Sequence, residues 1–405
     1  MRSLSRVLVV GVVAVVLSGC WPTPGAGPDR RNFNPYERTL TPGNVGELTE
    51  AFRAPLDAGA GPPVVTPSGL YVRTGLSIAA FEPGTGVARW TARLPDFEGG
   101  DDRIDISDPF VIDAQDQVVA TMTVFGPSFV RWDTFVTLAS DTGAVQRSLT
   151  NGRLDSVRGP VAAVVGRDQC CAGMGDRTRI GVGFPPGQST WGGYAPDLVD
   201  GRATLGRGVL YVTSEGRIHS YDTTAECGIA GGDPICVTEW IRPIATGITP
   251  VVIGDDATLY VASGDSRAYA VDSGSGEVRW STGVGAPVSQ TPALADDVLY
   301  VAANDGRLTA VPAGGCGLAD CPASWTTSAG SRLSVQPAVA GGVVYTGAAD
   351  GTVAAFDAAG CGSPTCQPLW STNTGAPITG GLAIYGGRLY VGTQTGLVSY
   401  GLPPA

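Results

Sequence analysis

The interval between tryptophan and tyrosine constrains this chain more than any other feature. From Trp191 to Tyr211, Trp240 to Tyr260, Trp280 to Tyr300, Trp325 to Tyr345 and Trp370 to Tyr390, the spacing is twenty residues every time. The distance from tyrosine to the next tryptophan varies instead: 19 from Tyr71 to Trp90, 20 from Tyr260, 25 from Tyr300 and Tyr345, and 29 from Tyr211. A fixed part alternating with an elastic part is the mark of a repeated structural unit. One unit, "PALADDVLYVAANDGRLTAVPAGG…W", alternates apolar and polar residues between turn signals. It predicts four short strands: "PALA", "VLYVAA", "RLTAV" and one holding the tryptophan. Four strands in about 40 residues are the signature of a propeller blade. A single blade cannot bury both of its faces, so neighbours stack and the ring closes to hide its edges.

Strand-initiating segments near Pro63, Pro109, Pro160, Pro196, Pro250, Pro292, Pro337 and Leu382 predict eight blades in an all-β fold, with seven as the alternative count. Blade 2 is irregular, because Arg147 or Leu149 stands where tryptophan belongs. Blade 8 stops after three strands. Its fourth is assigned to "ELTEAFRAPL" near the N-terminus, with Phe52 in the tryptophan role. Trp90, Trp191, Trp240, Trp280, Trp325 and Trp370 are therefore read as blade-packing residues. Asp265, Asp305 and Asp350 are read as turn residues. In blade 3, Cys171 lies twenty residues before Trp191 and is expected in the tyrosine register.

The chain begins "MRSLSRVLVVGVVAVVLSGC": two arginines, then an apolar run from Val7 to Leu17. That run falls short of the roughly 20 residues a membrane-spanning helix needs and has the length of a secretory signal core. "LSGC" resembles a bacterial lipobox. By that resemblance residues 1–19 are a signal peptide and Cys20 becomes the acylated first residue, anchoring the protein to a membrane. Residues 20–44, rich in proline and glycine, read as a tether without a core, and 45–402 as the propeller. The expected location is the cell envelope, on the outer face of the cytoplasmic membrane, or on the outer membrane in a Gram-negative organism.

Export fixes the redox compartment, in which cysteines can pair. Cys20 apart, eight cysteines remain. Cys227/Cys236, Cys316/Cys321 and Cys361/Cys366 fall where the tyrosine-to-tryptophan interval is stretched, and are expected to be disulfides stapling enlarged turns between third and fourth strands. Parity leaves Cys170 and Cys171, either a vicinal disulfide or two buried thiols.

Several functions drop out on composition. The net charge of -11 and the absence of lysine among 26 basic residues argue against nucleic acid as a partner. The one histidine, His219, occupies the place of Thr309 and Ala354 in other repeats and reads as an ordinary strand residue, so multi-histidine metal centres are excluded.

"LYVASGDSRAYAVDSGSGEVRW" resembles the repeat of PQQ-type (pyrroloquinoline-quinone) β-propellers, and "NFNPYERTLTPGNVGELTEAF" is similar to the segment that precedes such propellers; together the resemblance covers about residues 32–402. Two branches bear on function. Quinoprotein dehydrogenases hold the quinone and Ca²⁺ in the central channel and carry a vicinal disulfide, to which Cys170–Cys171 invites comparison. No calcium ligand or catalytic aspartate of that branch falls on a matching position here, so no catalytic or cofactor-binding residue is assigned. The other branch is the BamB-like scaffold lipoprotein of the outer-membrane barrel assembly machine, which matches in lipobox, short tether and eight blades. The expected function is thus a monomeric, lipid-anchored, non-catalytic scaffold without cofactor or metal. It would bind an envelope protein or a small extracellular ligand through one rim, with specificity in the irregular blades over 109–191. A PQQ/Ca²⁺-dependent dehydrogenase is the alternative, and a carbohydrate-binding or sensor propeller the second.

Overall fold

Each repeat folds into an antiparallel sheet whose strands follow chain order from the ring's centre outwards. The computed structural model describes residues 21–404 except 22, 24, 28, 95–102, 107–109, 113–116, 126–130, 151–152, 159–160, 169–176, 184–188, 199–200, 231–232 and 329. Its strands group into eight sheets. Blade 6 sets the pattern with Ala293–Ala295, Val298–Ala302, Arg307–Pro312 and Trp325–Ser328. The second and third strands are buried on both sides, because a neighbouring blade covers each face. Apolar clusters accordingly bridge adjacent blades: one joins blades 5 and 6, the next blades 6 and 7.

The twenty-residue interval now has a physical reason. Tryptophan and tyrosine occupy one register across each blade, as in Tyr300↔Ala310↔Trp325 and Tyr71↔Ala80↔Trp90. Both reach into the following blade. The indoles of Trp90 and Trp240 donate to the carbonyls of Ser140 and Ser273 at 2.9 and 3.1 Å. The hydroxyls of Tyr260 and Tyr300 donate to the carbonyls of Ala313 and Ala358 at 3.0 and 2.9 Å. These indoles and that of Trp280 pack closely against a turn glycine of the following blade. A Cβ on Gly143, Gly276 or Gly315 would stand 2.6 Å from Trp90, Trp240 or Trp280 respectively.

Blade 8 closes as the sequence predicts. Thr49–Pro55 pairs antiparallel with Gly396–Gly401 and supplies the fourth strand. Phe52, opposite Ser399, takes the tryptophan register and packs against Tyr390 with ring centroids 6.3 Å apart. The Tyr390 hydroxyl donates to the Pro83 carbonyl of blade 1 at 2.8 Å, so the ring is continuous across the seam. Tyr345 of blade 7 has a buried hydroxyl with no partner among the described residues. Blade 8 has no covalent turn between its third and fourth strands, and that turn delivers the carbonyl elsewhere.

Blade 3 departs from expectation. Its first strand is Arg153–Arg158, so position 160 lies after that strand instead of before it. Trp191 pairs with Val182, and Val182 with Ala163. Ala163 therefore holds the tyrosine register of blade 3; Cys171, expected there, lies outside the described residues. In blade 2 the tryptophan register falls to Arg147, opposite Thr137, and not to Leu149.

The turn aspartates behave as read. Asp265, Asp305 and Asp350 each accept the amide two residues on, from Arg267, Arg307 and Thr352, at 2.9–3.1 Å. The next residue, Ser266, Gly306 or Gly351, has positive φ.

One matched pair of glycines tests the blade contact. Gly315 and Gly317 share φ +79, but a Cβ on Gly317 would meet nothing within 4 Å. Alanine at either site costs about 1–2 kcal/mol of left-handed strain. Gly315→Ala should cost a further ~1–3 kcal/mol from overpacking against Trp280. Urea midpoints of the two variants measure the difference; equal midpoints would show that the indole contact contributes nothing.

Candidate functional site

The ring has two faces. Each first strand runs towards what we term face A, which carries the connections between strands 1 and 2 and between strands 3 and 4. Face B carries the 2–3 turns and the crossovers to the next blade. A first strand normally leaves one backbone edge open to the channel. Here the N-terminal segment satisfies many of those edges.

Trp21, 1 % exposed, exchanges backbone hydrogen bonds with Val65 of blade 1 at 2.7 and 2.9 Å. Further along, the carbonyls of Asp29, Arg31 and Asn32 accept the amides of Ile253, Leu294 and Val339, on the first strands of blades 5, 6 and 7, at 2.8–3.0 Å. Arg30 donates to the Ala203 carbonyl of blade 4 at 3.2 Å, and Asn34 to the Ile384 carbonyl of blade 8 at 3.0 Å. Phe33–Asn34 adds a short parallel strand inside Ala338–Ala340. Six blades are thus bonded to one segment. Within residues 21–44, expected to be a tether without a core, Trp21 and Leu40 are buried in the cluster joining blades 7, 8 and 1.

Polar side chains lock this plug. Asn32, wholly buried, donates to the Pro337 carbonyl and accepts from Gln336. Arg31 makes a two-pronged ion pair with Asp255, at 2.7 and 2.5 Å, and its Nε donates to the Ile253 carbonyl at 2.9 Å. That guanidinium lowers the pKa of the Asp255 carboxyl. Beside the pair, a cleft of about 330 Å³ between blades 5 and 6 is lined by Asp255, Asp256, Asp296, Asp297, Arg31 and Tyr260. Sequence reasoning missed the plug because it occurs once and has no period. The available signal was Trp21, a tryptophan outside the repeat register.

The other predicted residues fall as follows. Cys227–Cys236, Cys316–Cys321 and Cys361–Cys366 are disulfides, each in a connection between strands 3 and 4. Their loops reach sideways onto the outermost strand of the preceding blade: Cys236 bonds to Tyr194, Cys321 to Ser281 and Cys366 to Thr326, each through a 2.9 Å backbone hydrogen bond. They therefore join blades as well as turns. Cys20, Cys170 and Cys171 lie outside the described residues. Trp90, Trp240, Trp280, Trp325 and Trp370 sit in the blade-packing register, and Trp191 stands in the outermost strand of blade 3.

His219 is a strand residue opposite Val212, as Thr309 is opposite Val301. Its ring stacks on Tyr221, centroids 6.5 Å apart, and its Nδ1 has no partner among the described residues. Burial pushes its pKa down; Asp197 and Glu215 oppose that and Arg217 adds to it.

Among the described residues no three His, Cys, Asp or Glu side chains gather in a way that could hold a metal ion. Ca²⁺ takes about six to eight oxygen ligands. Among the described residues no such set of carboxylates is gathered.

These features can be set beside known proteins. A family model described as "Outer membrane protein assembly factor BamB" matches residues 230–360, from the cystine loop of blade 4 to that of blade 7. The repeats are PQQ-like. BamB from Moraxella catarrhalis superimposes with a TM-score of 0.58 at 18 % identity, covering 87 % of this chain and 99 % of its own. A europium-containing methanol dehydrogenase gives 0.66 at 12 %, covering 92 % and 89 %. The quinohemoprotein alcohol dehydrogenase from Comamonas testosteroni gives 0.66 at 14 %, covering 96 % and 82 %. At such identities the likeness is one of fold. No curated protein matches the sequence.

The buried histidine gives a pH prediction. Its folded pKa lies below the unfolded value of about 6.5, so the unfolded chain binds the extra proton. Stability should therefore fall as pH drops through about 6.5. His219→Thr, the blade 6 residue at this place, should flatten that slope in thermal melts. A slope unchanged by the substitution would count against the buried neutral histidine.

Proposed function

We propose that the protein is a lipid-anchored, non-catalytic propeller of the cell envelope that holds a protein partner on face B over blades 2 and 3. The observation that carries this reading is the plug. Bonds from residues between Trp21 and Asn34 reach the first strands of six blades, which line the channel where a ligand would otherwise sit. Coverage of 99 % of the BamB chain, against 82–89 % of the two dehydrogenases, supports it further. Departures from the repeat point to the binding surface. In blade 2 the second and third strands, Gln117–Phe125 and Arg131–Ala139, have nine residues each, against five and six in blade 6. They extend on face B. The lipobox supplies the anchor.

Cys20→Ser should move the protein from the membrane to the soluble fraction. Cutting the connection between the two long strands of blade 2 back to an Asp-Gly turn should abolish in-cell cross-linking to a partner while leaving the membrane fraction unchanged. Calorimetric titration of the purified protein with pyrroloquinoline quinone and Ca²⁺ should give no saturable heat. Binding near one equivalent would overturn the non-catalytic reading in favour of the dehydrogenase.

A further inference from the structure

The chain's entry at Trp21, the plug and the exposed apolar side chains all belong to one face. Val64–Thr66 runs towards face A, and Trp21 bridges Val65 in the antiparallel sense. At Trp21 the chain is therefore travelling from face A into the channel. It leaves by the same mouth, because Phe33–Asn34 runs parallel to the first strand of blade 7 and Tyr36, just beyond, is exposed. Covalent geometry keeps the Cα of residue 20 about 3.8 Å from that of Trp21. An acyl group on residue 20 would have no slack: Trp21 is already fixed by two backbone hydrogen bonds and buried.

Eight large apolar residues stand exposed among the described residues. All eight lie on face A or at its perimeter. Ile229, Val237 and Leu318, at 80, 75 and 64 % exposure, project from the cystine loops of blades 4 and 6. Val87 lies in the corresponding turn of blade 1, and Leu369 ends that of blade 7. The described residues of face B contribute none. Singly, exposed apolar residues need no explanation. Their confinement to the face that receives the chain end does.

We infer that face A rests on the lipid bilayer, an inference that builds on the lipid-anchored reading above. The chemistry of the face also says which bilayer contact it fits. Asp255, Asp256, Asp296 and Asp297 share this face, so an anionic surface would not draw it down. The contact is apolar side chains at the headgroup boundary beneath a short anchor, and face B is left free for a partner.

The test uses the full chain, matured in a bacterial envelope, with a photoreactive phenylalanine analogue at Leu318 or, on face B, at Ala349. Both positions are exposed, and protease resistance checks that each variant folds. Irradiated membranes should yield phospholipid adducts at Leu318 in several-fold excess over Ala349, unchanged by high salt. The mass of the N-terminal peptide is read from the same samples. An acylated N-terminus with lipid adducts at Ala349, at neither position, or with a protein adduct at Leu318 instead, overturns the inference and leaves the anchor standing. An unacylated N-terminus overturns both.

Discussion

The structure depends on one contact repeated around the ring: an indole packed against a turn glycine of the next blade, with a tyrosine hydroxyl bonded to a carbonyl of the same turn. The contact is directional. Trp280 needs Gly315 bare, and Tyr260 needs the Ala313 carbonyl turned inward. Each blade is thus specified by its successor as much as by its own sequence. Because the interior is divided among the junctions, the chain needs neither a central core nor long helices. Val45–Glu47 is the only helical turn among the described residues.

The cystine loops follow from the same logic. Once a turn carries the glycine on which a neighbour's indole lies, lengthening it endangers the contact. In the enlarged turns a disulfide limits that freedom, and the loop uses its extra residues to hydrogen-bond the preceding blade's outer strand. One cysteine of each pair (Cys236, Cys321, Cys366) is buried in the junction; Cys316 and Cys361 are exposed, while Cys227 is half-buried against the same cluster as its partner.

How much was legible in the sequence follows from repetition. Blade packing, the turn aspartates, the loop disulfides and the Phe52 strand were readable, because each either recurs or fills a gap left by something that recurs. Blade 3 shows where the rule stops, since Ala163, twenty-eight residues before Trp191, holds the tyrosine register there. The plug was invisible for the converse reason. Asn32, Arg31 and Asn34 act through backbone edges, which leave no side-chain pattern, and their Pro/Gly-rich surroundings resemble a linker. Arg30 and Asn32, both with φ +55, show what such a segment accepts to follow the channel wall.

The seam in blade 8 imposes an order of assembly. Leu48 accepts the indole N–H of Trp370 from 322 residues away, and the strand that follows it waits unpaired until the last strand of the chain exists. Contacts so distant in sequence form late, because loop closure must be met before they contribute. Until then Thr49–Pro55 and Gly396–Gly401 are two free strand edges, the kind that recruit foreign chains. The junction that makes the ring continuous is therefore also the interval of greatest hazard in its biogenesis, and the orphaned hydroxyl of Tyr345 marks where that closure leaves one bond unmade.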